Sequence, residues 1–108
     1  MEHDFLNFLA GTDRFLLTGH DRPDGDCLGS QVALYHLLTA QGKQVQIVNP
    51  DPITKVHDFL TRHTPFGAYD ASAGLPAFDA VVLLDCSELS RLSEMGAKLR
   101  ELDAKVAV

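Results

Sequence analysis

The sequence has no tryptophan, only two cysteines and no two adjacent lysine or arginine residues. Each scarcity removes a class of protein. Cys27 and Cys86 stand 59 positions apart, which fits neither a disulfide framework nor a paired-cysteine zinc motif. Nonspecific nucleic-acid binding depends on clustered basic charge, whereas nine Lys and Arg here face fifteen Asp and Glu, a formal net charge of -6. The chain is therefore not expected to bind long nucleic acids, and any phosphate ester it meets must be neutralised by metal ions or a basic partner. No apolar run approaches the roughly eighteen residues of a membrane span. Met1-Glu2-His3-Asp4 does not open a signal peptide. These features predict a cytoplasmic protein with no membrane partner.

What the chain does contain is regular alternation. Its 108 residues are 45% apolar with eight Gly and five Pro, enough for one domain with a core and unlike a disordered or collagenous chain. Phe5, Leu6 and Leu9 have helical spacing over residues 2–10 and Gly11 follows as a cap. Phe15-Leu16-Leu17-Thr18 and Val45-Gln46-Ile47-Val48 are short strands, and Ala80-Val81-Val82-Leu83-Leu84 is the clearest strand of all. A helix from about Cys27 to Ala40 is apolar almost all round, which predicts cover on more than one side. Residues 54–62 form a short helix that packs Val56, Phe59 and Leu60, and residues 64–77 form an irregular surface stretch. Leu92, Met95, Leu99 and Leu102 mark a last helix, and Lys105-Val106-Ala107-Val108 opens a fourth strand.

Apolar strands separated by helices produce a parallel sheet covered on both faces. The expected fold is α/β, doubly wound, with a mostly parallel sheet of about four strands. Chemistry in such sheets gathers beyond the carboxyl ends of the strands, near the point where strand order reverses. Two acidic positions belong there: the loop opening at His20, directly after the first strand, and Asp85, directly after the third.

The loop reads His20-Asp21-Arg22-Pro23-Asp24-Gly25-Asp26-Cys27-Leu28-Gly29-Ser30. His20, Asp24 and Asp26 are three potential ligands within one turn, shaped by Pro23 and Gly25. Mixed imidazole and carboxylate donors suit Mn²⁺, with Zn²⁺ and Fe²⁺ as alternatives, whereas calcium takes oxygen alone. Adding Asp85 makes a two-metal site feasible. A plainer reading is available: Asp24-Gly25 is a turn dipeptide and Asp26 a helix N-cap. One cap explains one acid and leaves His20, Asp24 and Asp85 without a role. Other templates fit worse. No Gly-Lys-Ser/Thr follows the glycines, a calcium loop started at Asp21 or Asp24 does not have oxygen donors at both its third and fifth positions, and no G-x-G-x-x-G is present.

The string from His20 through Pro23-Asp24-Gly25-Asp26 to Gly29-Ser30, the apolar helix after it and the later Leu83-Leu84-Asp85 resemble the first two motifs of the DHH phosphoesterase family. The nanoRNase-like branch, oligoribonucleases that also dephosphorylate 3′-phosphoadenosine 5′-phosphate, is the nearest match. The resemblance implies a parallel α/β domain, two Mn²⁺ ions in a cleft, with Mg²⁺, Co²⁺ or Zn²⁺ as alternatives, and a smaller C-terminal domain that grips the substrate. It implies that His20 and Asp24 bind one metal, that Asp26 binds the other and that Asp85 bridges them, with Asp24, Asp26 and Asp85 as the catalytic carboxylates. His20 would bind through a neutral imidazole nitrogen and not act as general base. The family's naming Asp-His-His motif is expected after the strand at Lys105, and the sequence ends at Val108. Residues 1–108 are therefore expected to be the N-terminal part of a catalytic domain, without the substrate-binding domain and inactive alone.

Gly29, Ser30, Arg22 and Arg91 are the candidate substrate contacts; their plain alternatives are helix-start packing for the first two and solvated charge for the arginines. Cys27 and Cys86 are expected to be small buried groups, and His3, His36, His57 and His63 surface or helix residues. The expected activity is hydrolysis of short oligonucleotides or a nucleoside 3′,5′-bisphosphate by a metal-bound hydroxide. A non-catalytic metal- or nucleotide-binding module and a cyclic-dinucleotide phosphodiesterase are the alternatives. The apolar helix and the strand at Val106 further predict self-association, for which a homodimer is the simplest form.

Overall fold

A computed structural model of the chain describes residues 7, 10–19, 25–84, 93–101 and 106–107. Its elements are β1 (Arg14–Gly19), α1 (Gly25–Ala40), β2 (Gln44–Asn49), a 3₁₀ helix (Lys55–Arg62), β3 (Gly67–Ala68), β4 (Ala80–Leu84), α2 (Ser93–Glu101) and β5 (Val106–Ala107). The strands form one sheet in the order β3-β2-β1-β4-β5, and every pairing is parallel. Helices lie on both faces, so the doubly wound α/β expectation holds with five strands where about four were expected.

The continuous apolar runs follow from this burial on two faces, because successive side chains of a strand point to opposite sides. Phe15 and Leu17 of β1 join Ile47, Val82 and Leu38 of α1 in one buried cluster. Leu16 faces the other way, into a cluster with Val81, Leu83 and the Met95 and Leu99 of α2. Thr18 is the buried polar residue of β1, and its hydroxyl donates to the Met95 sulfur at 3.7 Å. The three-to-four stepping expected of the last helix is realised at Met95 and Leu99, while Leu92 and Leu102 lie outside the described residues.

Several boundaries and faces differ from expectation. Helix α1 begins at Gly25 rather than near Cys27, so Asp26 sits inside its first turn and is not the N-cap. A carboxylate there still meets the positive end of the helix dipole. The helix buries Cys27, Leu28, Gln31 and Leu38 but leaves Leu37 53% exposed, so it is covered on one side only. It ends in a Schellman turn: Lys43 N–H donates to the Leu38 carbonyl at 3.1 Å and Gly42 N–H to Thr39 at 3.0 Å, with Gly42 at φ +84°.

The segment after β2 is a 3₁₀ helix, in which residues three apart eclipse. That period aligns His57 with Leu60, both half-buried, and turns Phe59 outward to 61% exposure, against the expected packing of Phe59. The stretch expected to be irregular contains β3, which pairs Gly67 with Val48 and Ala68 with Asn49, and Tyr69 N–H extends it to the Asn49 carbonyl at 2.7 Å. The helix expected over residues 2–10 lies mostly outside the described residues; Asn7 and Ala10 are helical, and Gly11 N–H donates to Asn7 at 3.0 Å. Among the described residues, no helix is long and apolar enough to cross a membrane.

Candidate functional site

Strand order reverses between β1 and β4. The chain leaves β1 toward β2 on one side and leaves β4 toward β5 on the other, so the crevice beyond the carboxyl ends opens between these two strands. Their last residues, Gly19 and Leu84, are register partners. The next residues in sequence are His20 and Asp85. His20, Arg22, Asp24, Asp85, Arg91 and Cys86 lie outside the described residues, so the structure speaks for the expected set through Asp26, Gly29, Ser30 and the strand ends.

A buried polar chain holds the start of α1 over those ends. A Cβ on Gly19 would collide with the Cys27 sulfur and come within 2.9 Å of the Leu84 carbonyl oxygen and 3.3 Å of Gln31 Nε2. Glycine is needed there by close approach. The Cys27 thiol donates to the Leu84 carbonyl at 3.6 Å, and Gln31 Nε2 lies 3.7 Å from the same sulfur. Gln31 and Asn49 then exchange two hydrogen bonds: Gln31 Nε2 donates to Asn49 Oδ1 at 2.7 Å, and Asn49 Nδ2 donates to Gln31 Oε1 at 2.9 Å. Cys27 and Gln31 are 0% exposed and Asn49 2%, as buried amides with partners can be. Through these contacts the last residues of β1, β2 and β4 all register against the first two turns of α1. The buried role expected of Cys27 is met.

Asp26, Gly29 and Ser30 occupy one stripe of α1, since residues three and four apart share a helix face. All three are exposed, and nothing lies within 4 Å of a Cβ built on Gly29. Packing therefore does not account for Gly29. Beside this stripe stands His57: a Cβ on Gly25 would be 3.5 Å from its Nε2, while its Nδ1 is 3.2 Å from the Thr54 hydroxyl.

Sequence reasoning passed over Gln31, Asn49 and His57. Gln31 did carry a signal, as the one polar residue on an otherwise apolar buried stripe. His57 carried none, because its inward placement follows from a 3₁₀ period that the apolar pattern does not announce. Among the described residues, no three His, Cys, Asp or Glu side chains meet as a metal site. Asp26 is the one described member of the expected metal set. Its carboxylate stands exposed on the first turn above the paired strand ends, and a set of three carboxylates and one imidazole has the chemistry Mn²⁺ takes. The one donor described, Asp26, is of a type a divalent ion accepts. A cavity of about 310 Å³ at the β2–β3 edge is lined by Val45, Gln46, Ile47, Val48, Pro65, Phe66 and Gly67. It holds no titratable group and none of the candidate residues.

Comparison with known proteins agrees with this fold. The model of the DHH family, N-terminal domain, matches residues 14–108. A bifunctional oligoribonuclease and PAP phosphatase, NrnA, of Mycoplasma genitalium is 40% identical over 42 residues, covering 39% of this chain and 13% of that protein. The crystal structure of an exopolyphosphatase-related protein from Bacteroides fragilis superposes with a TM-score of 0.79 at 25% identity, over 96% of this chain and 32% of that one. The chain thus spans well under half the length of either relative.

Proposed function

Because the chain belongs to the DHH family through that family's N-terminal domain, we propose that it is the N-terminal catalytic part of a manganese-dependent phosphoesterase. Its substrates in this reading are short oligonucleotides or a nucleoside 3′,5′-bisphosphate, and its compartment is the cytoplasm. The observation that carries the reading is the Gly19–Leu84 pairing at the switch point, from which the loop with His20, Asp24 and Asp26 and the chain segment with Asp85 both depart. The M. genitalium relative is named for oligoribonuclease and PAP phosphatase activities, which supports this substrate class.

His20, Asp24, Asp26 and Asp85 would hold the ions, with Mg²⁺, Co²⁺ or Zn²⁺ as substitutes. Divalent ions there supply charge neutralisation at the phosphate and an activated water for in-line attack. The chain's own residues do the positioning. The Cys27–Gln31–Asn49 chain keeps the first turn of α1 over the strand ends, and Asp26 projects from that turn. Gly29 and Ser30 offer an open face for the substrate, and Arg22 and Arg91 are its proposed phosphate contacts. Self-association as a homodimer is part of the same reading, with Leu37 on the uncovered side of α1.

The test is hydrolysis by the protein expressed from its whole gene. With Mn²⁺ it should release mononucleotides from a dinucleotide and phosphate from 3′-phosphoadenosine 5′-phosphate, and EDTA should abolish both. A manganese-loaded protein that leaves both intact while cleaving a cyclic dinucleotide would move the substrate class. One that cleaves none of the three would end the reading.

A further inference from the structure

We propose that His57 is a substrate-positioning residue, whose Nε2–H donates to an oxygen of the phosphate ester bound beside the first turn of α1. The inference rests on the phosphoesterase reading and deepens it. The 3₁₀ helix follows the carboxyl end of β2, on the side of β1 opposite β4. Its three-residue period turns His57 and Leu60 toward the body of the protein. The imidazole is held at its far nitrogen, where Nδ1 meets the Thr54 hydroxyl at 3.2 Å. If that hydroxyl donates, the neutral ring carries its proton on Nε2, the nitrogen that faces Gly25 at 3.5 Å from the position of a Cβ there.

The surroundings suit an anion's oxygen at that nitrogen. Gly25 and Gly29, four residues apart, share one side of the first two turns, and the space over Gly29 is open to at least 4 Å. Gly25 lies between Asp24 and Asp26 in sequence. A phosphate drawn to an ion on the Asp26 carboxylate would meet the same first turn as Gly25, beside His57. The carboxylates themselves only repel it, so a neutral N–H donor on the flank adds an attraction the acidic loop lacks. The same 3₁₀ helix carries Lys55 and Arg62 against a single acid, Asp58, all exposed.

The experiment compares wild type, His57→Ala, His57→Gln and Thr54→Val in the protein from the whole gene. It measures kcat and KM on a dinucleotide, and Mn²⁺ affinity without nucleotide. A lost hydrogen bond to a charged group is expected to raise KM about tenfold in His57→Ala. The kcat should stay within about threefold and Mn²⁺ affinity should not move. Glutamine, whose amide N–H can reach the Nε2 position, should recover most of the KM; Thr54→Val should give a smaller rise. Independently of turnover, ¹⁵N-histidine spectra with Mg²⁺ should show the His57 Nε2 resonance moving when adenosine 3′,5′-bisphosphate is added. An unchanged KM and an unmoved Nε2 would overturn the proposal while leaving the phosphoesterase reading intact. So would a loss of Mn²⁺ affinity in His57→Ala, which would make the residue a ligand or a support of the metal site. A wild-type protein that hydrolyses nothing would end the parent reading, and the Nε2 resonance would then report whether His57 meets phosphate at all.

Discussion

The two rims of the sheet are closed in opposite ways. At the amino ends, β1 and β4 are clamped by an exposed ion pair: Arg14 Nη2 meets Asp79 Oδ1 at 2.8 Å with the side chains 44% and 41% exposed. Arg14 N–H adds a bond to Asp79 Oδ2 at 3.1 Å, and Asp79 N–H returns one to the Arg14 carbonyl at 2.9 Å. At the carboxyl ends, the tie is buried and uncharged, a thiol and two amides under the first turns of α1. Asp26, the described acid at this rim, stands exposed on the first turn of α1 and takes no part in that tie, which in the proposed reading leaves it for a metal and a substrate.

On the proposed reading, the largest functional effect belongs to the exposed Asp26. Asp26→Asn should lower kcat/KM on a dinucleotide by about a hundredfold or more and leave the melting temperature near wild type, because the side chain is solvent-exposed. A large fall in melting temperature would show that the carboxylate holds the rim after all.

The largest effect on stability belongs to the buried tie. Gly19→Ala forces a methyl group onto the Cys27 sulfur and the Leu84 carbonyl, and should cost about 2 kcal/mol or more in urea unfolding. Gln31→Leu strands the Asn49 amide and should cost about 1–3 kcal/mol. The double variant Gln31→Leu/Asn49→Leu should lose less than the sum of its single variants, since no amide is then left without a partner. Additive losses would show that the two amides do not depend on each other.

The smallest effect belongs to the amino rim. The hydrogen bond from Arg14, with its positive charge, holds the Asp79 carboxyl below the ordinary 3.8. A carboxyl lowered in the folded state contributes its stability above the unfolded value and loses it as pH falls through the folded one. The Arg14 guanidinium is shifted upward by the same contact, and so adds no pH dependence in the acid range. Asp79→Asn should therefore produce a small loss of stability at pH 7 that vanishes in strong acid and shrinks in high salt. A loss that persists in acid would point to the backbone bonds and not to the charge.

The two rims also differ in how far they were legible. Strands β1 and β4 followed from uninterrupted apolar runs, because burial on both faces leaves no polar alternation to misread, whereas the two-residue β3 had no such run to announce it. Of the acids expected after β1, only Asp26 can be placed, exposed on the first turn of α1 where a helix start was expected close by. The tie beneath it was not legible. Gln31 and Asn49 are 18 residues apart, and nothing in either local segment says that one faces the other. The same holds for Arg14 and Asp79, 65 residues apart. The 3₁₀ helix was misjudged for another reason: residues 54–62 carry apolar positions compatible with an α-helical face, and only the tighter period puts Phe59 outside and His57 inside.

The central claim, that the carboxyl rim holds a divalent ion through acids that do not hold the fold, is tested most directly by titrating Mn²⁺ into the protein from the whole gene and following the loss of the free-ion electron paramagnetic resonance signal. The account predicts saturable binding in the wild type that is weakened about tenfold or more by Asp26→Asn and by Asp85→Asn, with each variant still folded by circular dichroism. Equal Mn²⁺ binding in all three proteins would contradict it.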